Sequence, residues 1–189
     1  MPDLFGEDVP PGMSYQEAFI SEPEERELLE SMAGVAFDEF TMRGVVARRR
    51  VAFFGAAYDR SAVTRPMPEF LLPIRAKLAA WARLPADAFA MALINEYRAG
   101  APIGWHRDAP QYDIVGGVSL LSACRMTLRP YLSPKAAASA PGKRVATHEI
   151  VLARRSAYLM TGDSRNGFEH HIPPVEHTRY SVTFRTLRR

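Results

Sequence analysis

The sequence predicts one α+β domain in which helices come first and a jelly-roll-like double sheet follows. Helical patterns are confined to the first half of the chain, and six short strand candidates separated by Gly, Pro, Ser or charged turns follow in the second half. The length of 189 residues suits a single domain with a sizeable core. The expected subdivision is residues 1–90, with the helices and a basic segment, and residues 91–189, with the double sheet.

Composition narrows the class of protein. Hydrophobic residues at 47% and charged residues at 24% are ordinary for a globular protein. The sequence has no apolar run of about 18 residues and no basic-then-apolar leader, so we expect neither a membrane span nor a signal peptide. A single cysteine, Cys124, excludes an internal disulfide, which makes the cytoplasm the expected compartment. A net charge of +3 and a pI near 9.2 permit a nucleic-acid partner, and we expect a monomer.

The N-terminal part contains a loosely packed leader and then a helix. Residues 1–13 include three prolines and two glycines without periodicity. Ser21 and Glu24 have the spacing of a capping box, and Gly34 can close the helix that they open. The apolar stripe of this helix, which predicts core packing, contains Leu28, Leu29 and Met32.

Residues 40–65 interleave cations with aromatic rings. The arginines are Arg43, Arg48, Arg49, Arg50, Arg60 and Arg65, and the rings are Phe53, Phe54 and Tyr58. Cations contact phosphates and rings stack on bases, so this segment is a candidate nucleic-acid-binding surface. The alternative is a solvated basic face above an ordinary aromatic core.

A second helix and six strands complete the prediction. The helix covers residues 66–84, starts or kinks near Pro68 and Pro73, and is expected to pack outside the sheet. Its apolar stripe contains Phe70, Leu71, Ile74, Leu78 and Trp81. The strand candidates are residues 91–97, 116–121, 124–129, 145–153, 157–161 and 180–187. Residues 135–143 are expected to form an exposed loop.

An HxD motif predicts a metal site. His106 and Asp108 are two residues apart, and in an extended backbone such side chains project from the same face. A third ligand is available from either His170 or His171. Two histidines and one carboxylate form the facial triad typical of non-haem Fe(II) oxygenases, which leaves positions open for a co-substrate and O₂. The alternative is a set of core or surface histidines that bind no metal.

Strict alternation over residues 179–185 predicts a half-buried strand. One face carries Tyr180, Val182 and Phe184, and the other carries Arg179, Ser181, Thr183 and Arg185. If the polar face lines a barrel interior, its two guanidinium groups need anionic partners, and a dicarboxylate would supply two. The alternative is an edge strand whose arginines lie in water.

Four motifs follow one another in the C-terminal half of the chain. They are Asn95-x-Tyr97, His106-x-Asp108, Ser164-Arg165-x-x-Phe168-x-His170-x-Ile172-x-Pro174 and Arg179-x-x-x-x-x-Arg185. In this order they resemble the AlkB-like dioxygenases, which use Fe(II) and 2-oxoglutarate. The resemblance covers residues 91–189 and, more weakly, residues 50–90. It implies a double-stranded β-helix (jelly-roll) core, with the basic segment as a lid that recognises the nucleotide.

The resemblance also implies a set of iron ligands. These would be His106, Asp108 and His170, because the family's H-x-I-x-P frame selects His170. His171 and His177 are then loop or surface histidines. Trp105, Arg107 and Arg165 are expected to shape the pocket.

The co-substrate contacts follow from the same resemblance. Arg179 would grip the distal carboxylate of 2-oxoglutarate, and Arg185 would lie near its metal-proximal carboxylate. Asn95 and Tyr97 would add hydrogen bonds to the co-substrate.

The implied reaction couples oxidative decarboxylation of 2-oxoglutarate, which gives succinate and CO₂, to hydroxylation of an N-methyl group that leaves as formaldehyde. The usual substrates of this family are N-methylated bases of DNA or RNA such as 1-methyladenine and 3-methylcytosine, flipped into the pocket. The chain departs from many nucleic-acid demethylases, because Ala109-Pro110-Gln111 stands after Asp108 where acidic residues face the base. Transfer RNA or a methylated protein side chain therefore stays an alternative target.

Two alternatives come from other functional classes. A zinc hydrolase can use two histidines, one aspartate and a metal-bound water, although it has no need for Arg179 and Arg185. A nucleic-acid-binding module without catalysis can use the basic segment without a metal.

Overall fold

The computed structural model describes residues 9–42, 45–56, 65–133 and 146–188. The helices within these ranges are α1 (Glu22–Met32), α2 (Leu72–Trp81) and α3 (Gly162–Asn166), and a 3-10 turn (Glu69–Leu71) precedes α2. The strands are β1 (Met13–Gln16), β2 (Asp38–Met42), β3 (Val45–Gly55), β4 (Phe89–Tyr97), β5 (Ile103–His106), β6 (Tyr112–Leu120), β7 (Cys124–Pro130), β8 (His148–Leu152), β9 (Ala157–Met160), β10 (Phe168–Ile172) and β11 (Arg179–Leu187).

Two antiparallel sheets pack against each other. The larger sheet has the strand order β1-β9-β6-β11-β4-β3-β2, and the smaller one has the order β5-β10-β7-β8. One buried cluster takes Tyr97 and Val115 from the larger sheet and Met126, Leu128 and Ile150 from the smaller sheet. This packing of one sheet on the other confirms the predicted α+β fold with a double-stranded β-helix core.

Helices α1 and α2 cover the outer face of the larger sheet. The Ser21 hydroxyl accepts a hydrogen bond from the Glu24 N–H, and the Glu24 carboxylate accepts one from the Ser21 N–H, so the predicted capping box is confirmed. Leu28 of α1, Leu78 of α2 and Phe184 of β11 belong to one buried cluster. The apolar face of β11 therefore packs outward under the helices, which leaves its polar face for the interior.

Five strands lie outside the six predicted ones, namely β1, β2, β3, β5 and β10. Residues 1–13 were expected to be loose, but Met13 begins β1, which pairs with β9; residues 1–8 lie outside the described part of the chain. Strands β2 and β3 come from the predicted lid segment, and they extend the larger sheet beyond β4. These segments form strands because of the neighbouring strands with which they pair, and local sequence patterns do not show that pairing. The loop expected at residues 135–143 lies outside the described residues.

Among the described residues, no helix has both the length and the apolar character that crossing a bilayer requires.

Candidate active site

Two strands of the smaller sheet bring two of the predicted histidines together. His106 at the end of β5 is paired with His170 of β10, and their ring centroids lie 4.3 Å apart. Successive side chains of a strand point to opposite faces. His171 accordingly lies on the other face, where its ring is 4.1 Å from that of Trp105. The structure therefore places His170, and not His171, beside His106.

Asp108 follows β5 and turns its carboxylate into the same interior. Its side chain is only 5% exposed, and its Oδ2 atom lies 4.0 Å from Nε2 of His170. Its Oδ1 atom lies 2.7 Å from Nε and 2.6 Å from Nη2 of Arg185. The two histidines, the carboxylate and this guanidinium group thus form one buried polar cluster.

Burial sets the charge state of the histidines. It lowers the pKa of His106, and it lowers the pKa of His170 to about 3, so both rings are neutral near pH 7. Nδ1 of His106 lies 2.8 Å from the carbonyl oxygen of Gly104. Because a carbonyl only accepts hydrogen bonds, Nδ1 carries the proton and Nε2 keeps its lone pair for a metal.

The carboxyl group of Asp108 is ionised. Burial is the largest single effect and would raise its pKa, but the charge of Arg185, the two histidines and the hydrogen bond from Arg185 together outweigh burial, so the pKa of Asp108 lies well below its ordinary value. A metal ligand needs this deprotonated form.

The chemistry of these donors fits Fe(II). Two neutral imidazoles and one carboxylate are the facial triad that binds this ion. Among the described residues, no three such groups are already closed around a common metal position. Asp108 Oδ1 is paired with Arg185, and Oδ2 lies on the side of His170. The donor types and protonation states are those that the ion requires, and the Asp108 carboxylate forms an ion pair with Arg185.

The polar face of β11 lines the interior, as the sequence predicts. Arg179 is 1% exposed, its Nε donates to the Ser119 hydroxyl at 3.2 Å, and its buried Nη1 has no hydrogen-bond partner among the described residues. On the neighbouring β4, the Asn95 amide donates to the Ser181 hydroxyl at 3.3 Å. The Tyr97 ring lies 5.2 Å from the Arg179 guanidinium carbon. A buried guanidinium group with an open donor is a site for an anion.

Arg165 has a structural role that the sequence did not specify. It is buried, and its Nη2 donates to the carbonyl oxygens of Asp108, Ala109 and Tyr112 at 3.3, 2.7 and 2.9 Å. One side chain thus fixes the backbone of the turn that carries Asp108. Its position in the S-R-x-x-F-x-H motif indicated that Arg165 lies near the site, but its backbone partners could not be identified from sequence.

A sequence model of the 2OG-Fe(II) oxygenase superfamily matches residues 54–185, which is more than half of the chain. The chain belongs to this superfamily. A curated relative from Danio rerio, named probable RNA/DNA demethylase ALKBH6, is 25% identical over 172 residues, which cover 89% of this oxygenase and 72% of the relative. The resemblance to AlkB-like dioxygenases predicted from the sequence is thereby confirmed.

Two solved structures share the fold of this oxygenase. OsALKBH1 superposes with a TM-score of 0.70 at 14% sequence identity, covering 94% of this chain and 99% of that chain. A prolyl-4-hydroxylase from Pseudomonas putida superposes with a TM-score of 0.63 at 13% identity, covering 94% and 93% of the two chains. At such identities the likeness concerns the fold alone.

The described arginines of the basic segment do not form one surface. Arg48 is exposed, Arg50 pairs with Glu96 on the outer face of the sheet at 2.9 Å, and Arg65 pairs with Asp38 at 3.0 Å. Arg43, Tyr58 and Arg60 lie outside the described residues. The segment is therefore in part the solvated basic face that was the alternative reading.

Arg49 is the exception in that segment. It is 7% exposed, and burial lowers its pKa, with the charge of Arg185 acting in the same direction and Tyr97 opposing both. Its side chain thus belongs to the interior face of the larger sheet, although the sequence grouped it with surface arginines. The alternation of Arg49, Val51 and Phe53 along β3 was the pattern that placed these side chains on one face.

An apolar wall adjoins the turn that carries Asp108. Ala109, next to Asp108, packs against a buried cluster of residues from β3, β4 and β6. The wall consists of Val51, Phe53, Met91, Leu93, Ala109 and Tyr112. Hydrocarbon and aromatic groups therefore line this side of the turn.

Proposed function

We propose that this protein is an Fe(II)- and 2-oxoglutarate-dependent dioxygenase that removes methyl groups from N-methylated bases of DNA or RNA, of the 1-methyladenine and 3-methylcytosine type. Formaldehyde, succinate and CO₂ are the expected by-products. The observation that carries the proposal is the buried guanidinium group of Arg179, with a donor that no described residue satisfies. Arg179 lies six residues before Arg185, on the same face of β11, and Arg185 is paired with Asp108. A buried cation of this kind requires an anion, and 2-oxoglutarate brings two carboxylates.

His106, Asp108 and His170 are the proposed iron ligands. When bound, iron and 2-oxoglutarate supply O₂ activation and the oxidative decarboxylation that yields succinate and CO₂. The protein prepares these ligands in advance. The Gly104 carbonyl holds the proton of His106 on Nδ1, and Arg185 keeps Asp108 ionised and oriented.

The co-substrate is proposed to lie between the two arginines of β11. Arg179 would hold the distal carboxylate, and Arg185 would lie near the metal-proximal one. Asn95 and Tyr97 would add hydrogen bonds, and burial raises the pKa of Tyr97, which keeps its hydroxyl protonated as a donor. These roles are consistent with the burial of all four side chains.

A nucleic-acid substrate is supported by the relative from Danio rerio, which is named a probable RNA/DNA demethylase. A base in a duplex would have to leave the stack to reach the buried histidines. The ring of Phe53 on the apolar wall offers such a base a surface to pack against.

A methylated protein side chain is the second candidate substrate. The observation in its favour is Ala109, which places hydrocarbon where an acidic residue would stabilise a cationic methylated base. A methyl-lysine carries its cationic nitrogen at the end of a flexible four-carbon chain, and those methylene groups can pack against the same wall.

Mass spectrometry of paired products tests the function. The iron-loaded protein is incubated with 2-oxoglutarate and with methylated DNA, RNA, transfer RNA and a methyl-lysine peptide in separate reactions. We expect succinate and demethylated nucleoside in equal amounts, formed by wild type and His171→Ala but not by His170→Ala. If succinate forms only together with demethylated peptide, the substrate is the second candidate, a methylated protein side chain. A lack of both products with every substrate would contradict the oxygenase assignment and favour a zinc hydrolase or a non-catalytic binding module.

A further inference from the structure

Tyr158 is a large polar side chain in the interior that none of the four family motifs includes. It lies in β9 and is 8% exposed. Strand β9 pairs with β6 so that Tyr158 is opposite Gly117. The ring belongs to the buried cluster between the two sheets, together with Tyr97.

Gly117 makes room for this ring. A Cβ atom built on Gly117 would lie 2.4 Å from Cε1, 2.5 Å from Cζ and 2.7 Å from the hydroxyl oxygen of Tyr158. All three contacts are far below van der Waals separation, so any larger residue would push the ring away. The phenol therefore lies across the backbone of β6, with its hydroxyl end over Gly117.

The hydroxyl end lies beside the polar face of β11, because Gly117 is paired with Thr183, whose hydroxyl accepts a hydrogen bond from Arg185 at 3.1 Å. Burial raises the pKa of Tyr158, the charge of Asp108 raises it further, and Arg185 and Arg179 oppose the increase. The hydroxyl is accordingly a neutral donor at physiological pH. Phenylalanine would fill the same space without burying a polar atom, so the retained hydroxyl points to a polar partner.

We infer that Tyr158 is a further co-substrate-positioning residue, whose hydroxyl donates a hydrogen bond to a carboxylate oxygen of 2-oxoglutarate between Arg179 and Arg185. Because Gly117 has no side chain, β6 leaves space for the ring to reach this position. The inference rests on the proposed function, because it assumes that a keto diacid occupies this interior. A carboxylate offers about four lone-pair directions, so it can accept from a tyrosine in addition to an arginine fork.

Anaerobic titration of the Fe(II)-loaded protein with 2-oxoglutarate tests the inference. The visible charge-transfer band reports the dissociation constant of the co-substrate. We expect Tyr158→Phe to bind 2-oxoglutarate about tenfold more weakly, as loss of one hydrogen bond to a charged group predicts. Iron affinity and the KM for the methylated substrate should stay at wild-type values, whereas a general packing defect would change them as well.

Tyr180→Phe is the matched control. Tyr180 donates its hydroxyl to Glu96 at 3.1 Å on the opposite face of the larger sheet, so it also loses a hydrogen-bonded hydroxyl but far from the co-substrate. An unchanged dissociation constant in Tyr158→Phe, or an equal change in both variants, would overturn the inference. No band in wild type would instead contradict the proposed function itself.

A second variant, Gly117→Ala, tests whether the space left by the missing side chain of Gly117 positions the Tyr158 ring. Gly117→Ala should weaken 2-oxoglutarate binding at least as much as Tyr158→Phe, and the double variant should show less than the sum of the two effects, because both remove the same contact. Additive effects would overturn the link between Gly117 and Tyr158. If circular dichroism shows that Gly117→Ala does not fold, the comparison of Tyr158→Phe with Tyr180→Phe decides the inference alone.

Discussion

Arg185 holds a single oxygen of Asp108 with two of its nitrogen atoms, Nε at 2.7 Å and Nη2 at 2.6 Å. Both side chains are almost fully buried. The other carboxylate oxygen is thereby left on the side of His170, at 4.0 Å from its Nε2. A residue in the co-substrate strand thus orients a residue in the metal-binding turn, which links the two halves of the proposed site.

Breaking this pair should destabilise the protein before any ligand is bound. Arg185→Ala leaves the buried carboxylate without its partner, and we expect a loss of about 3–5 kcal/mol in the free energy of unfolding. Arg185→Lys keeps the charge and should lose less. Urea denaturation of the metal-free protein measures both. Arg125→Ala is the control, because its ion pair with Glu149 is exposed and should be worth less than about 1 kcal/mol; an equal loss in both alanine variants would contradict a structural role for the buried pair.

Adjacent histidines of β10 should differ sharply in iron binding. His170 is paired with His106, whereas His171 lies on the other face beside Trp105. We expect His170→Ala to lower iron affinity by at least about a hundredfold, since loss of a direct ligand exceeds the effect of an outer-shell change, and His171→Ala to bind iron as wild type does. Equilibrium dialysis with Fe(II) under argon gives both constants. Retention of iron by His170→Ala would show that the ligand set is wrong.

The apolar wall should disfavour positive charge on the substrate. Introducing an acidic group by Ala109→Asp places a carboxylate beside the metal-binding turn, and it should raise turnover of cationic 1-methyladenine relative to neutral 3-methyluracil by about tenfold. Ala109→Asn has nearly the same shape without the charge and should leave the ratio unchanged. Competition assays with both bases in one oligonucleotide report the ratio directly. The same change of the ratio in both variants would mean that the shape of the side chain at position 109, and not its charge, determines the substrate preference.

Glu96 should make stability depend on pH in the acid range. The hydrogen bond from Arg50, at 2.9 Å, is the main cause that lowers the pKa of Glu96 below its ordinary value of 4.5. Because the folded pKa lies below the unfolded one, this stabilisation is present above about pH 4.5 and is lost as the pH falls through the folded pKa. Glu96→Gln should therefore be about 1–2 kcal/mol less stable than wild type at neutral pH. The difference should shrink in urea titrations carried to about pH 3, and a constant difference would contradict the pairing.

Much of the site was predictable because it depends on local spacing. The i to i+2 relation of His106 and Asp108 and the alternation from Arg179 to Arg185 are properties of extended backbone, which sequence shows directly. The structure adds that the two segments meet, through the ion pair between Arg185 and Asp108. Their distance along the chain concealed this contact.

Other parts depend on strand pairing that local patterns do not encode. Strand β3 begins Val45-Val46-Ala47-Arg48-Arg49-Arg50, where charge appears on both faces, so its position between β4 and β2 in the larger sheet and the burial of Arg49 were not apparent. Strand β10 is short, and its pairing register with β5 shifts between His170 and Ile172. The alternation of buried and exposed side chains that marks a strand is therefore hard to recognise in its sequence. Tyr158 was only one position of the strand candidate at residues 157–161, because the pairing with Gly117 is what shows where its hydroxyl lies.

The central claim is that Arg179 binds the co-substrate while the histidines and Asp108 bind the metal. Anaerobic titration of Arg179→Ala with Fe(II) and then 2-oxoglutarate tests it most directly, with Arg48→Ala as an exposed-arginine control. We predict wild-type iron content and a 2-oxoglutarate dissociation constant raised by about a hundredfold, since a charge-assisted pair of hydrogen bonds is lost. An equal loss of iron and co-substrate, or 2-oxoglutarate binding that matches the control, would contradict the account.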